Sequence, residues 1–473
     1  MAVTEVQERA VETTDAESVQ AVEEPEPIQK PVSKWLRWYR TPLFNVFLVG
    51  LISFTQPGIW NALNSTGAGG EQEPYLVNAA NALTFGIMVF GCPLFGALAN
   101  KIGLRNVLIL GTLGYAPYSA SLYVNNRYGT QWFVLFGATT CGLAASALWA
   151  SEGAIALGYP ASKDRGRSTG IWLALRELGQ IIGASIQLSL NINNNHTGKV
   201  GYATYLVLIA LQCLGLPLAL LLSPPEKVIR ADGSQVGNPA RARNFLREMG
   251  KLWRLLKTKR IFLLIPILIT GTWNGTYLGI YLTKYFSVRA RTLGSLLAAL
   301  VATVADLFWG WFLDLKFVRR STMAKLTWAI FSVVIFSLFG WAVSNQYLYD
   351  HSPTKVNLDW DSPGFGRGFM DESHYIFVYW LIGTFDNDVE TLTLTVGILR
   401  AFESVGSALS YGVGAVPSNS PMTNLIVSFV LFAAAVPTTT AVTFLVPDRP
   451  VDNAVEDDED SKSWQRPNIM SPP

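Results

Sequence analysis

Charge is scarce in this sequence. Asp, Glu, Lys and Arg together make up 15% of 473 residues, beside three histidines and three cysteines. Soluble domains of this total length normally carry about a quarter of their residues as charges. The cysteines (Cys92, Cys141, Cys213) all fall in apolar runs, which excludes a disulfide framework and a metal-ligand spacing. There is no phosphate-binding glycine loop and no H-E-x-x-H. His196, His351 and His374 sit in or beside polar loops, so neither a nucleotide-driven pump nor a catalytic set is encoded, and no cofactor or metal is expected. A net charge of +2 gives no reason to expect nucleic acid. Residues 1–33 are polar and acidic, without the apolar core of a signal peptide, so the first apolar run is expected to serve as the targeting signal.

What is present is apolar and organised. Half of the residues are hydrophobic, mean hydropathy is +0.28, and the apolar runs are about 20 residues long, enough to cross a bilayer core. Breaking the runs at charged and turn-forming clusters predicts an all-α membrane protein of twelve spans. The first six lie near 43–63, 76–99, 106–124, 131–158, 169–190 and 201–223. The second six lie near 261–286, 293–313, 323–344, 375–397, 400–416 and 423–446. Two six-helix bundles, 41–223 and 261–446, are then joined by a linker at 224–260. The segments 1–40 and 447–473 have the composition of disordered cytoplasmic tails. Tyr375 to Val416 is divided into two spans mainly by its length. The linker ends in ARNFLREMGKLWRLLKTKR, a basic amphipathic stretch suited to lying on the anionic inner leaflet or to holding a partner.

Lysine and arginine set the orientation. With the N-terminus in the cytoplasm, the segment before span 1 and the loops after spans 2, 4, 6 and 8 hold 22 of them, against 6 in the opposite loops. Both termini are therefore expected in the cytoplasm, in a plasma membrane or an endomembrane. Glycosylation sequons at Asn64 and Asn195 both fall on the other side.

One motif occurs twice. After span 2 the chain reads Gly96-Ala-Leu-Ala-Asn100-Lys101-Ile-Gly103-Leu-Arg105, and after span 8 Gly310-Trp-Phe-Leu-Asp314-Leu-Lys-Phe-Val-Arg319-Arg320. In both, glycine is followed by Asn or Asp four residues on and by Arg nine residues on. The pattern resembles the loop signature of the major facilitator superfamily, G-x-L-A-D-R-x-G-R-K. The resemblance implies two pseudo-symmetric bundles that rock about a central site, with the glycine allowing close helix contact and the acidic residue capping a neighbouring helix beside basic partners. Asn100 departs from the pattern because an amide cannot form the salt bridge. Pro57-Gly58-Ile-Trp60-Asn61-Ala-Leu-Asn64 and Phe385-Asp386-Asn387-Asp388-Val-Glu390 are similar to the fungal Unc-ninety-three-like branch, whose members include channel regulators and receptor-trafficking chaperones as well as presumed transporters.

Ionisable groups inside a bilayer are costly and mark functional positions. Arg176, Gln180, Gly183 and Gln187 form a polar stripe on span 5, expected to line a cavity, with Glu177 beside it. Asn45, Gln56 and Trp60 on span 1 and Trp273, Asn274 and Tyr277 on span 7 would complete an aromatic and amide lining, with Pro57-Gly58 kinking span 1. Glu152 on span 4 is either a proton-coupling carboxyl or the fixed partner of Arg176. Asp306 on span 8, Asp386, Asp388 and Glu390 on span 10, and Glu403 beginning span 11 beside Arg400 are further coupling candidates. The bland alternative is that Glu390 and Glu403 lie at the water interface. The expected activity is alternating-access transport of a small solute, with proton coupling as an open option; the alternative is a non-transporting regulator or escort of another membrane protein.

Overall fold

The structure, a computed structural model, describes residues 34–448 apart from 67–68, 70–73, 162–163, 194–198, 231–235, 237–244, 316–317, 352–357, 363–373, 387 and 417–418. Twelve spans follow in order: span 1, Pro42–Ser53, Phe54–Gly58 and Ile59–Ser65; span 2, Pro74–Ile102; span 3, Leu104–Gly111 and Tyr115–Tyr128; span 4, Gln131–Gly158. Span 5 is Arg165–Asn191 and span 6 is Tyr202–Cys213 with Gly215–Leu220. After a linker helix, Phe245–Leu256, come span 7, Lys259–Gly271 and Trp273–Tyr285; span 8, Val288–Leu313; span 9, Arg320–Asp350; span 10, His374–Gly383; span 11, Val389–Gly414; and span 12, Pro421–Thr443. Among the described residues, ten of the twelve are long and apolar enough to cross a bilayer. Span 5 carries Arg165, Arg167, Arg176 and Glu177, and the described part of span 10 is 10 residues long. The lipid-facing shell is apolar, with Phe90, Val304, Trp311 and Val333 exposed, while the polar groups are turned inward.

Two expectations change here. Residues 34–39, placed in a disordered tail, form a short helix whose Tyr39 hydroxyl donates to the Leu221 carbonyl. More consequentially, the break between spans 10 and 11 lies at Thr384–Asp388. Asp388 caps span 11, accepting from the Thr391 backbone N–H at 2.9 Å and from its hydroxyl at 2.9 Å. Asp386 accepts from the Asp388 backbone N–H at 2.9 Å. Asp386 and Asp388 therefore belong to a turn and Glu390 to the first helical turn after it, while Glu403 moves to the middle of span 11.

Both described chain ends and the loops after even-numbered spans share one face, the basic face. The halves meet along two crossings, span 2 against span 11 and span 5 against span 8. Glycines permit backbone contact at both: a Cβ on Gly96 would lie 3.1 Å from the Thr393 carbonyl, and one on Gly310 would lie 2.9 Å from the Gly166 carbonyl. Gly103, at φ +93°, turns the chain from span 2 into span 3, a backbone conformation that other residues rarely adopt.

Candidate functional site

Span 1 is interrupted where it meets span 5. Pro57 has no N–H to donate to the helix and sits in the widened π turn Phe54–Gly58. There a Cβ on Gly58 would lie 2.5 Å from the Arg176 carbonyl, and one on Gly179 would lie 2.3 Å from the Phe54 carbonyl. The two backbones are thus pressed together beside Arg176. Span 7 breaks at Thr272, between two helical segments. The first helix of each half is therefore discontinuous next to the cavity that the halves enclose.

That cavity has a volume of about 150 Å³. Trp60, Phe85, Tyr115, Trp149 and Tyr411 give it aromatic walls, and Arg176, Arg400 and Glu403 give it charge. Arg176 binds Glu177 through Nε at 2.9 Å and Nη2 at 2.5 Å, and Arg400 binds Glu403 at 2.7 Å. Span 5 and span 11 are the fifth helix of their respective halves, so the two ion pairs occupy related places in the repeat. Trp149 lies between them, with the Arg400 guanidinium carbon 3.6 Å and the Arg176 carbon 5.8 Å from its ring centre. From Trp149 the aromatic contacts run on to Trp172 at 6.0 Å and from there to Tyr379 of span 10 at 5.3 Å. This connects both halves.

Glu152 is fully buried one layer behind Trp149. Its Oε2 accepts from Ser53 at 2.5 Å and Trp172 Nε1 at 3.3 Å, while Oε1 has no hydrogen-bond partner among the described residues. It is not the ion-pair partner of Arg176, which is Glu177. Asp306 is buried at the crossing of spans 5 and 8, where its carbonyl would lie 2.9 Å from a Cβ on Gly170.

Of the eight described side chains among the nine expected to line the cavity, Trp60 and Arg176 do. Asn45 instead donates to the carbonyls of Tyr39 and Thr41 and accepts from the Ser223 N–H, tying the basic-face ends of spans 1 and 6. Gln56 donates to the Gln212 carbonyl within the first half, and Gln187 to the Ala62 carbonyl. Gln180 reaches the Ser295 carbonyl of span 8 at 3.4 Å, so it joins the halves. Trp273 is buried with its carbonyl accepting from Ser410, and Tyr277 donates to Gln346 inside the second half. The Asn274 side chain and Asn195 lie outside the described residues. The Asn64 amide donates to the Trp60 carbonyl and its oxygen accepts from Asn81, so in the folded chain this sequon is occupied by internal bonds.

Arg400 and Trp149 were missed as a pair. Misplacing the 10/11 break put Arg400 at a helix start, and the turn chemistry of Phe-Asp-Asn-Asp, with Asp388 three residues before Thr391, was the signal that would have moved it to mid-span.

The halves touch on both sides of the cavity. On the face opposite the basic one, Asn78 donates to the Gly414 carbonyl at 3.0 Å and Ser65 meets Ser295. On the basic face the second copy of the repeated motif caps span 5 across the interface: Asp314 accepts from Gly166 N–H at 3.1 Å and Arg167 N–H at 2.6 Å. Arg165 donates to the Asp386 carbonyl at 2.6 Å and to the Gly383 carbonyl. In the first copy Lys101 is exposed and Arg105 donates to the Leu220 carbonyl at 2.6 Å. In the second copy Arg319 caps span 9 through its backbone and Arg320 lies near Asp314.

Burial outweighs the two backbone donors and holds the Asp314 carboxyl above its ordinary 3.8, at about 6. A carboxyl whose pKa is raised in the closed state holds its proton more tightly there. Its contribution to closure is therefore complete below pH 3.8 and is lost as pH rises through about 6. Two pKa units correspond to about a hundredfold in equilibrium. Spin labels on the basic-face ends of spans 5 and 8 should separate more often as pH on that face rises between these values, and Asp314→Asn should show no such dependence.

Comparison with known proteins agrees with this architecture. The family model described as Major Facilitator Superfamily matches residues 21–352. The "Notoamide biosynthesis cluster protein O'" of Aspergillus versicolor is 35% identical, covering 84% of this chain and 88% of the relative. An UNC93-like protein of Schizosaccharomyces pombe is 29% identical over 79% of this chain and 76% of its own length, and UNC93-like protein 1 of Arabidopsis thaliana is 27% identical over 92% and 95%. Among solved structures, the Escherichia coli fucose:proton symporter FucP superposes with a TM-score of 0.56 at 11% identity, covering 87% of this chain and all of that one. The chain is a multi-pass membrane protein of the Major Facilitator Superfamily, in its UNC93-like branch.

Proposed function

We propose that the protein is a secondary transporter that moves a small solute by alternating access, rocking spans 1–6 against spans 7–12 about the Trp149 cavity, with the basic face in the cytoplasm. The carrying observation is the pair of repeat-related ion pairs, Arg176–Glu177 and Arg400–Glu403, on either side of one tryptophan at the interface between halves. Buried guanidinium–carboxylate pairs at mid-membrane are held against a desolvation cost, and a cavity between two moving bundles is where their re-pairing would do work. A cavity of about 150 Å³ admits a solute about the size of benzene in this closed arrangement. Its aromatic walls and charged floor suit a flat organic molecule with one polar or ionised end. The test is flux in proteoliposomes across a panel of small aromatic and aliphatic acids, amines and zwitterions. No flux for any of them, with and without a proton gradient, would count against transport.

Glu152 is the group best placed to carry a coupled proton. It is fully buried, holds both its donors on one oxygen, and touches Trp172, which packs on Trp149. Glu152→Gln keeps the shape and the Ser53 contact. It should leave solute exchange within about threefold while abolishing uphill accumulation driven by a pH gradient, because the amide is neutral like a protonated carboxyl but has no proton to release. Equal loss of both activities would make Glu152 a structural residue instead.

A second reading draws on the small cavity and the self-neutralised arginines, which would also suit a fold that holds another membrane protein without moving a solute. A stoichiometric membrane partner in mild detergent, together with no flux, would favour it.

A further inference from the structure

The first copy of the repeated motif lacks the acidic residue present in the second, and the missing charge is supplied from elsewhere. Asn100, 2% exposed, donates its amide to Oε2 of Glu248 at 2.9 Å and to the Glu390 carbonyl at 3.4 Å. Glu248 lies in the linker helix Phe245–Leu256 and is itself 1% exposed. Lys251, one turn on, binds Glu248 at 2.9 Å and also Glu390 at the start of span 11. Below these polar contacts Leu252 packs with Ala97 of span 2, Ile261 of span 7, and Leu394 and Ile398 of span 11. The linker helix is thus fastened across the seam between halves, at the crossing of spans 2 and 11 that must part if the basic face is to open.

The rest of the helix faces outward. At 100° per residue Leu246 and Trp253 extend the edge of the apolar face, and both are exposed, at 76% and 57%. Lys257 lies on the same side with its ammonium 5.0 Å from the Trp253 ring centre, and Arg247 and Arg254 form the adjoining exposed strip. An apolar edge bearing tryptophan, bordered by three cations and held at the ends of membrane spans, is complementary to the headgroup layer of an anionic leaflet.

We propose that Phe245–Leu256 is a lipid-seated strap: its inner edge locks spans 2 and 11 together through Glu248, and its outer edge binds anionic lipid headgroups through Arg247, Arg254 and Lys257. Anionic lipid on the basic face then stabilises the closed gate. Each cation near such a surface adds to the attraction, so three can shift the docked population about tenfold or more. The strap needs no particular solute, and its test reads opening instead of flux, so it stands or falls apart from the transport reading.

The test is hydrogen exchange of the full chain in phosphatidylcholine nanodiscs with and without phosphatidylserine, followed at residues 97–105 and 390–398. Phosphatidylserine should slow exchange there about tenfold. Arg247→Gln/Arg254→Gln/Lys257→Gln should remove that difference while keeping the wild-type rate in phosphatidylcholine alone, and Glu248→Gln should speed exchange in both lipids. Equal exchange of the wild type in the two lipids overturns the lipid seat. Unchanged exchange in Glu248→Gln overturns the lock. If lipid has no effect but removal of residues 451–473, which contain Glu-Asp-Asp-Glu-Asp, speeds exchange, the occupant of the basic strip is the chain's own acidic tail and the proposal fails.

Discussion

Arg400→Ala is expected to abolish flux, by a hundredfold or more, and to destabilise the protein at the same time. Arg400 is 6% exposed, and its guanidinium binds Glu403 at 2.7 Å and covers Trp149 at 3.6 Å. Removing it leaves a carboxylate in low dielectric with its charge partner gone, which costs roughly 3–5 kcal/mol, and also removes a cation–π contact of about 1–2 kcal/mol. A fall of several degrees in the melting temperature of the detergent-solubilised protein should accompany the lost flux. The double variant Arg400→Ala/Glu403→Ala separates the two effects. Taking out both charges should return most of the stability, because no unpaired ion remains buried, while flux stays lost. Arg400→Lys keeps a charge for Glu403 but not the planar group that lies on Trp149, so it should be intermediate. Wild-type flux in a stable Arg400→Ala protein would remove this network from the mechanism.

Arg400 also shows where sequence reasoning reached and where it stopped. Span number, the two-bundle division and the duplicated motif were readable because hydropathy and turn chemistry are local signals. The motif resemblance implies that an acidic residue meets a helix end, and Asp314 accepts from the first backbone N–H groups of span 5. The site was less so. The polar stripe on span 5 is periodic, yet periodicity fixes only a helix face, and along that one face Arg176 meets the cavity, Gln180 the other half and Gln187 the carbonyl of Ala62. Which depth belongs to which neighbour is decided by the tilt and crossing of spans far apart in sequence. Glu248 was hidden for a similar reason. In the sequence it is one acid in a basic amphipathic stretch, and only the fold brings it to Asn100, 148 residues away. The carboxyls of the 10/11 turn were misread because a run of apolar residues on both sides outweighed the turn-forming Asp-Asn-Asp between them.

Gly310→Leu should hold the basic face open and stop transport while leaving each half folded. At this crossing a Cβ on Gly310 would already lie 2.9 Å from the Gly166 carbonyl and 3.1 Å from the Gly170 Cα, so it meets backbone that has no rotamer by which to yield. Three further carbons cannot be accommodated by local adjustment, and overpacking of this kind costs about 1–3 kcal/mol or more. The two backbone contacts lie between halves, however, so a rigid-body motion that opens this face would relieve them, and the end of the Ile376 side chain, 3.2 Å away within the same half, can turn aside. A penalty borne by one state of a two-state equilibrium shifts its population about tenfold for each 1.4 kcal/mol. Gly406→Leu provides the contrast. Its Cβ would lie 1.9 Å from the Ile269 carbonyl, and spans 7 and 11 belong to the same half, so no rocking motion relieves it. That variant should fail to accumulate in the membrane. Gly310→Leu should accumulate normally, show spin-labelled ends of spans 5 and 8 moved apart, and lose flux at least a hundredfold. If both variants disappear together, the span 5–span 8 contact is part of the folding core; if Gly310→Leu transports like the wild type, close approach at this crossing is not a step of the cycle.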